Sequence, residues 1–146
     1  MPKNVILVED DPDDLFFFQR AFSKNIGDKQ LQVIRNGEEL ISHLDQSLAQ
    51  KDLDEDALPC LILLDMKMPR KSGLDVLEWI RSRPLLRRIP VVVFSSSQST
   101  RDINEAYERG ASSYFVKPID MTVMTGYAEL LCRYWLNAVR LPQLSQ

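Results

Sequence analysis

Two kinds of apolar pattern alternate along the chain. Short aliphatic runs occupy residues 5–8, 31–34, 61–64, 91–94 and 114–116. Runs of this kind, without strict in-out alternation, mark strands buried on both faces. Between them apolar residues recur at helical spacing: Leu15, Phe18 and Phe22, then Leu40, Ile41 and Leu44, then Val76, Leu77 and Ile80, then Ile103, Ala106 and Tyr107. Strand then helix, repeated five times, predicts an α/β domain with a parallel sheet between helices on both faces. Pro12 suits the first turn of a helix, Gly73 and Gly110 mark turns, and Pro90 opens the fourth strand where no ladder bond is needed. The segment QSLAQKDLDEDAL, residues 46–58, is acidic and loses helical period after Ala49. It reads as the end of the second helix running into an exposed loop.

The last segment, residues 121–140, spaces Met121, Met124, Tyr127, Leu131, Tyr134, Trp135 and Ala138 at steps of three and four. That is the stripe of an amphipathic helix, although Gly126 costs it about 1 kcal/mol against alanine. The stripe is longer than a five-stranded sheet needs, and Trp135, Leu136, Val139 and Leu141 carry it further. Two readings stand: a core helix with a short packed tail, or a surface for a second copy or a partner.

Composition narrows the class. The 146 residues suit one domain, with a core at about 4–138 and a tail at 139–146; 45% hydrophobic and 27% charged residues are ordinary for a soluble globular chain. The net charge of −3 argues against a nucleic-acid partner. Arg81, Arg83, Arg87 and Arg88 read as a solvated helix end and loop. No stretch approaches the roughly 18 apolar residues of a membrane span and MPKNVILVEDD is no signal peptide, so the expected location is the cytoplasm. Cys60 and Cys132 lack metal or redox spacing and read as small buried hydrophobes. His43 reads as an exposed helical residue.

The chemistry starts from LILLDMKMP, residues 61–69, which sets Asp65 directly after four aliphatic residues. A carboxylate there is costly unless cations meet it. Ligands of open parallel sheets bind beyond the carboxyl ends of the strands. Glu9, Asp10 and Asp11 come after the first strand, Asp65 after the third, Ser95, Ser96 and Ser97 after the fourth, and Lys117 after the fifth. Carboxylates so gathered stay ionised only around a cation, and Mg²⁺ suits a site of one or two carboxylates plus phosphate. A carboxylate beside Mg²⁺, a lysine and a hydroxyl is an activated nucleophile for phosphorus, so the expected chemistry is phosphoryl transfer to Asp65.

These residues resemble the receiver domain of two-component response regulators over almost the whole chain. The likeness rests on LVEDD at 7–11, LLDMKMP at 63–69, SGLDVLEWIR at 72–81, PVVVFSSS at 90–97 and SSYFVKP at 112–118, in that order and at the family's intervals. The resemblance implies a doubly wound, flavodoxin-like sheet of strand order 2-1-3-4-5 with an extended C-terminal helix or tail. It makes Asp65 the phosphoacceptor, Glu9 and Asp10 the acidic metal pair, the Lys67 backbone carbonyl a further metal ligand, Lys117 the phosphate-pairing cation, and Ser95 and Tyr114 the switch pair. Glu9 departs from the more usual aspartate, implying a longer reach to the metal through water, and Lys67 stands where asparagine is frequent.

The chain ends at Gln146, so the resemblance implies a stand-alone regulator acting on proteins: a sensor histidine kinase upstream and an unidentified protein target. PDD after the acidic pair, SSS after the fourth strand and the apolar C-terminal extension are most similar to regulators that partner bacterial phytochromes, which dimerise around the last strand and helix. Of Phe16, Phe17 and Phe18, not all can face inward. Phe16 is the candidate kinase contact and Trp135 the candidate dimer contact, each with a plain packing alternative. A flavodoxin-like nucleotide binder would want a Ser/Thr/Gly-rich first loop instead of three carboxylates. An aspartyl-phosphate hydrolase would want a carboxylate where Lys67 stands. A degenerate receiver, serving only as a docking module, remains the alternative.

Overall fold

The computed structural model describes residues 4–26, 30–50, 57–68 and 71–144. Residues 51–56 of the acidic segment and Pro69 of LLDMKMP lie outside the described residues. The five strands are β1 (Asn4–Val8), β2 (Gln30–Ile34), β3 (Leu61–Asp65), β4 (Val91–Ser95) and β5 (Ser113–Val116). All pair in parallel in the order β2-β1-β3-β4-β5. The helices are α1 (Pro12–Ser23), α2 (Gly37–Leu48), α3 (Gly73–Ser82), α4 (Thr100–Glu108) and α5 (Met121–Leu131). A fifth helical segment after β5 completes the doubly wound fold expected from the alternation.

The period of two in each strand sorts its residues between two cores. Val5, Leu7, Leu61, Leu63, Val92 and Phe94 face α1 and α5. Ile6, Val8, Ile62, Leu64, Val91 and Val93 face α2 and α3. Every residue of β3 and β4 is buried. Capping explains where the helices start: Asp11, Asn36, Ser72, Ser99 and Asp120 each accept backbone N–H bonds from the first turn, and Pro12 occupies the first helical position.

Three expectations are corrected. Leu58, placed in the exposed loop, is fully buried and belongs to the α2–α3 core. His43 is partly buried rather than exposed. The last helix does not run evenly to Arg140: after Leu131 it widens into a π-helical segment, Cys132–Ala138. The wider turn rotates the apolar face, so Leu131, Cys132, Trp135 and Leu136 turn inward while Tyr134 and Ala138 are exposed. The tail packs on the domain, as the first of its two readings has it. Leu141 packs on the α1–α5 core, Leu144 is buried in the α2–α3 core, and Arg88 donates to the Gln143 carbonyl at 3.1 Å.

Arg81 is likewise no solvated helix-end residue. Its guanidinium donates to the carbonyls of Gly110 (2.9 Å), Arg87 (2.9 Å) and Ile89 (2.7 Å), tying α3 to the turns before β4 and β5. Gly110 sits at φ +109°, and a Cβ there would lie 2.6 Å from the Arg81 stem, so glycine serves both the turn and the contact. Arg83 pairs with Asp45 at 3.6 Å and lies over the Trp79 ring.

Candidate functional site

The site forms where β1, β3, β4 and β5 end. Asp65 continues the series Leu61, Leu63 and so points toward α1; Lys117 continues Phe115 in the same direction. Asp65 is 5% exposed and Glu9 is fully buried, both at the carboxyl ends of core strands. The Lys117 ammonium meets them there: Nζ lies 2.9 Å from Glu9 Oε1 and 3.1 Å from Asp65 Oδ1. A third carboxylate, Asp14 Oδ2 in the first turn of α1, is nearer still at 2.8 Å. Asp65, a charge at the end of a core strand, thus has a buried cation against it.

Glu9 is held at both oxygens. Oε1 takes the lysine, while Oε2 accepts the backbone N–H of Asp10 at 3.1 Å and of Asp11 at 3.4 Å. Its extra methylene is therefore folded back into the β1–α1 turn. Burial, and then the adjacent Asp65, push the Glu9 carboxyl up to about 8 against the opposing pull of Lys117. For Lys117 burial works against the ammonium, but bonds to Asp14 and Glu9 and the charge of Asp65 outweigh it and raise its pKa.

Glu9, Asp10 and Asp65 each place a carboxylate oxygen within 4.8 Å of the others. Three hard oxygen donors at that separation fit a divalent cation, and one lysine leaves the group short of positive charge. Lys67 is exposed, and its N–H donates to Asp65 Oδ1 at 3.3 Å. Gly73 lies so close to the backbone of Met66 that a Cβ would come within 2.7 Å of Met66 Cα, and its N–H bonds the Met66 carbonyl. Glycine there lets the start of α3 press against the loop after Asp65.

Ser95 is 3% exposed at the end of β4; its Oγ accepts the Ser97 N–H at 3.2 Å, and its carbonyl takes the Lys117 N–H at 2.8 Å. Tyr114 is partly buried against the α2–α3 core and donates its hydroxyl to the Ser97 carbonyl at 2.9 Å. Ser97 donates to Asp102 on α4, and that bond lowers the Asp102 carboxyl below its usual range. Met66, Lys67, Ser72, Leu74, Ser95 and Tyr114 surround a cavity of about 160 Å³ beside the site. A second, more open cavity of about 430 Å³ lies over Asp10, Asp14, Asp65, Lys67 and Lys117.

The sequence thus identified the residues that meet at this rim, with Asp14 the member it missed. Phe16 is 56% exposed on α1, whereas Phe18 is buried. Trp135 rests against the chain's own core, stacked edge-on with Tyr134 at 5.0 Å. The apolar side chains presented outward are Val123 and Leu130 on α5 and Tyr134 on the π-helical segment after it.

A rim of carboxylates paired with a strand-end lysine, on this strand order, is the arrangement that the resemblance to receiver domains led us to expect. The response regulator receiver domain family matches the chain over residues 5–129, and the chain belongs to that family. Its functional class is therefore phosphorylation-based two-component signalling. The chain is 33% identical to response regulator Rcp1 of Synechocystis sp. over 141 residues, 97% of this chain and 94% of Rcp1. Among solved structures, the phosphorylated cyanobacterial phytochrome response regulator RcpA superposes with a TM-score of 0.85 at 32% identity, covering 97% of this chain and 99% of RcpA. The Mn²⁺-bound form of Rcp1 gives 0.83 at 33% identity, with the same coverage. Among the described residues no helix is long and apolar enough to cross a membrane.

Proposed function

We propose that Asp65 is the phosphoacceptor of a single receiver domain that takes its phosphoryl group from a sensor histidine kinase and acts in the cytoplasm by changing its contacts with other proteins. The observation that carries this is the Lys117 ammonium 3.1 Å from Asp65 at the carboxyl end of a fully buried strand. An Asp65 oxygen attacks phosphorus, the bond to the donor imidazole breaks with its electron pair, and an acyl phosphate forms. Lys117 is within reach of the oxygens that gain charge, and Ser95 lies at the neighbouring strand end, where its hydroxyl can turn to the product. Tyr114, held on the Ser97 carbonyl, completes the switch pair. The chain assists its own phosphorylation and hydrolysis; it has no separate substrate.

Glu9, Asp10 and Asp65, with the Lys67 carbonyl, would hold Mg²⁺, which when bound neutralises charge on the transferring phosphoryl group. The likeness to the Mn²⁺-bound form of Rcp1 supports a divalent ion for this chain. The likeness to Rcp1 and RcpA supports a phytochrome as the kinase, and thus light as the signal. Phe16 is the exposed α1 contact for that kinase. A homodimer through the β5–α5 face is supported by the exposed Val123 and Leu130, which at a spacing of seven share one face of α5. The test is transfer of phosphate from a phosphorylated phytochrome kinase to wild-type protein and to Asp65→Asn. Transfer to the wild type alone is expected; transfer to both would remove Asp65 from the role.

A further inference from the structure

We infer that Asp14 is a positioning residue for phosphoryl transfer, acting through Lys117; the inference rests on Asp65 being the phosphoacceptor. An ammonium has three N–H donors. Here two are given to carboxylates, Asp14 at 2.8 Å and Glu9 at 2.9 Å, while Asp65 Oδ1 lies 3.1 Å from the nitrogen as an ion pair. Two of these carboxylates belong to the β1–α1 region and one to the reacting group. Asp14 and Glu9 therefore fix two of the three directions and hold the ammonium 3.1 Å from Asp65, with its third N–H uncommitted to either anchor. Glu9 alone would leave the flexible four-carbon stem free to rotate about one contact.

The anchor is itself held. Asp14 is in the first turn of α1, where its own N–H is taken by the Asp11 cap at 3.1 Å, and Leu15 next to it is buried in the core. Its side chain is 37% exposed, so it borders the open cavity over the site and does not compete for space within it. When Asp65 carries phosphate, the third N–H is the one free to meet a phosphoryl oxygen, while Asp14 and Glu9 keep the other two.

The experiment measures the rate of phosphorylation by acetyl phosphate at saturating Mg²⁺ across a series of donor concentrations. The proteins are wild type, Asp14→Ala, Asp14→Asn, Lys117→Met and Asp14→Ala/Lys117→Met, with Asp65→Asn as the blank. Asp14→Ala lowers the saturated rate about tenfold, the worth of one charge-assisted hydrogen bond. It does not raise the half-saturating donor concentration, because removing a negative charge cannot repel an anionic donor. Asp14→Asn keeps an oxygen acceptor in place and retains most of the wild-type rate. In the Lys117→Met background, followed over hours, Asp14→Ala has no further effect. A wild-type rate in Asp14→Ala, an Asn variant as slow as the Ala variant, or an undiminished Asp14 effect without Lys117 would each overturn the inference. Absence of Mg²⁺-dependent labelling in wild type would instead overturn the phosphoacceptor assignment beneath it.

Discussion

Each end of the sheet holds a half-buried cation, and the two are treated in opposite ways. At the amino end Arg81 is surrounded by neutral carbonyls of Gly110, Arg87 and Ile89. Its donors are met by backbone that is already folded, and nothing nearby needs a further ion. At the carboxyl end Lys117 is surrounded by three carboxylates, with Asp10 close by. Two of its donors are met by Asp14 and Glu9, but the surroundings carry more negative charge than one ammonium offsets. The first arrangement is complete and fixes geometry. The second is incomplete and calls for a divalent cation or a proton, and it responds when the charge on Asp65 changes.

The comparison can be broken most strongly at Lys117. Lys117→Met is expected to slow phosphorylation by about a hundredfold, one electrostatic contact to the transition state, as read by intact mass against time. Removing one partner of a buried pair also costs about 3–5 kcal/mol, and Mg²⁺ should recover part of that stability in a thermal melt. Arg81→Leu is expected to cost about 2–4 kcal/mol, because the three carbonyls lose their donors. Here Mg²⁺ gives no specific recovery, and the folded fraction still accepts phosphate at its normal rate. Recovery of both variants by Mg²⁺, or of neither, would erase the distinction between the two ends.

A smaller effect comes from Glu9. Its carboxyl is raised to about 8 in the folded, metal-free protein against an ordinary value of 4.5. The folded state therefore holds that proton more tightly than the unfolded chain, and the stability this gives is full below about 4.5 and is lost as pH rises through about 8. The metal-free wild type should lose about 1 kcal/mol or more between pH 5 and pH 8, roughly 3 °C in Tm. Glu9→Gln should flatten that slope, and a slope as steep in the variant would assign it to another group. Smallest in energy is the α5 surface. Leu130→Glu should shift a sedimenting dimer toward monomer without lowering Tm, since Leu130 is 59% exposed; a wild type that sediments as a monomer contradicts the β5–α5 dimer.

The central strands β1, β3 and β4 were legible because strands buried on both faces leave unbroken runs, and the helices because their apolar spacing survives without tertiary information; β2 and β5, expected to be buried alike, are the sheet's edges and only partly buried. The rim was legible because strand ends in a parallel sheet converge, so Glu9, Asp10, Asp65, Ser95 and Lys117 could be placed together from sequence order alone. Asp14 was not, because its partner lies 103 residues away and acidic residues in a first turn already have a sufficient local reason in the helix dipole. Arg81 was misread because its acceptors are carbonyls, which leave no mark on the sequence. Trp135 and Tyr134 were placed on one stripe because a period of 3.6 cannot anticipate the π-helical widening after Leu131. A packed tail was legible as one of two readings because Leu141 carries the apolar stripe on; that Leu144 reaches the α2–α3 core was not, because it has no periodic neighbours.

The measurement that bears most directly on the central claim is intact mass after incubation with acetyl phosphate, in Mg²⁺ and in EDTA, for wild type and Asp65→Asn. A gain of one phosphoryl group is expected in wild type with Mg²⁺ and in no other sample. No gain in any sample would contradict the phosphoacceptor role and leave a receiver that works by docking alone.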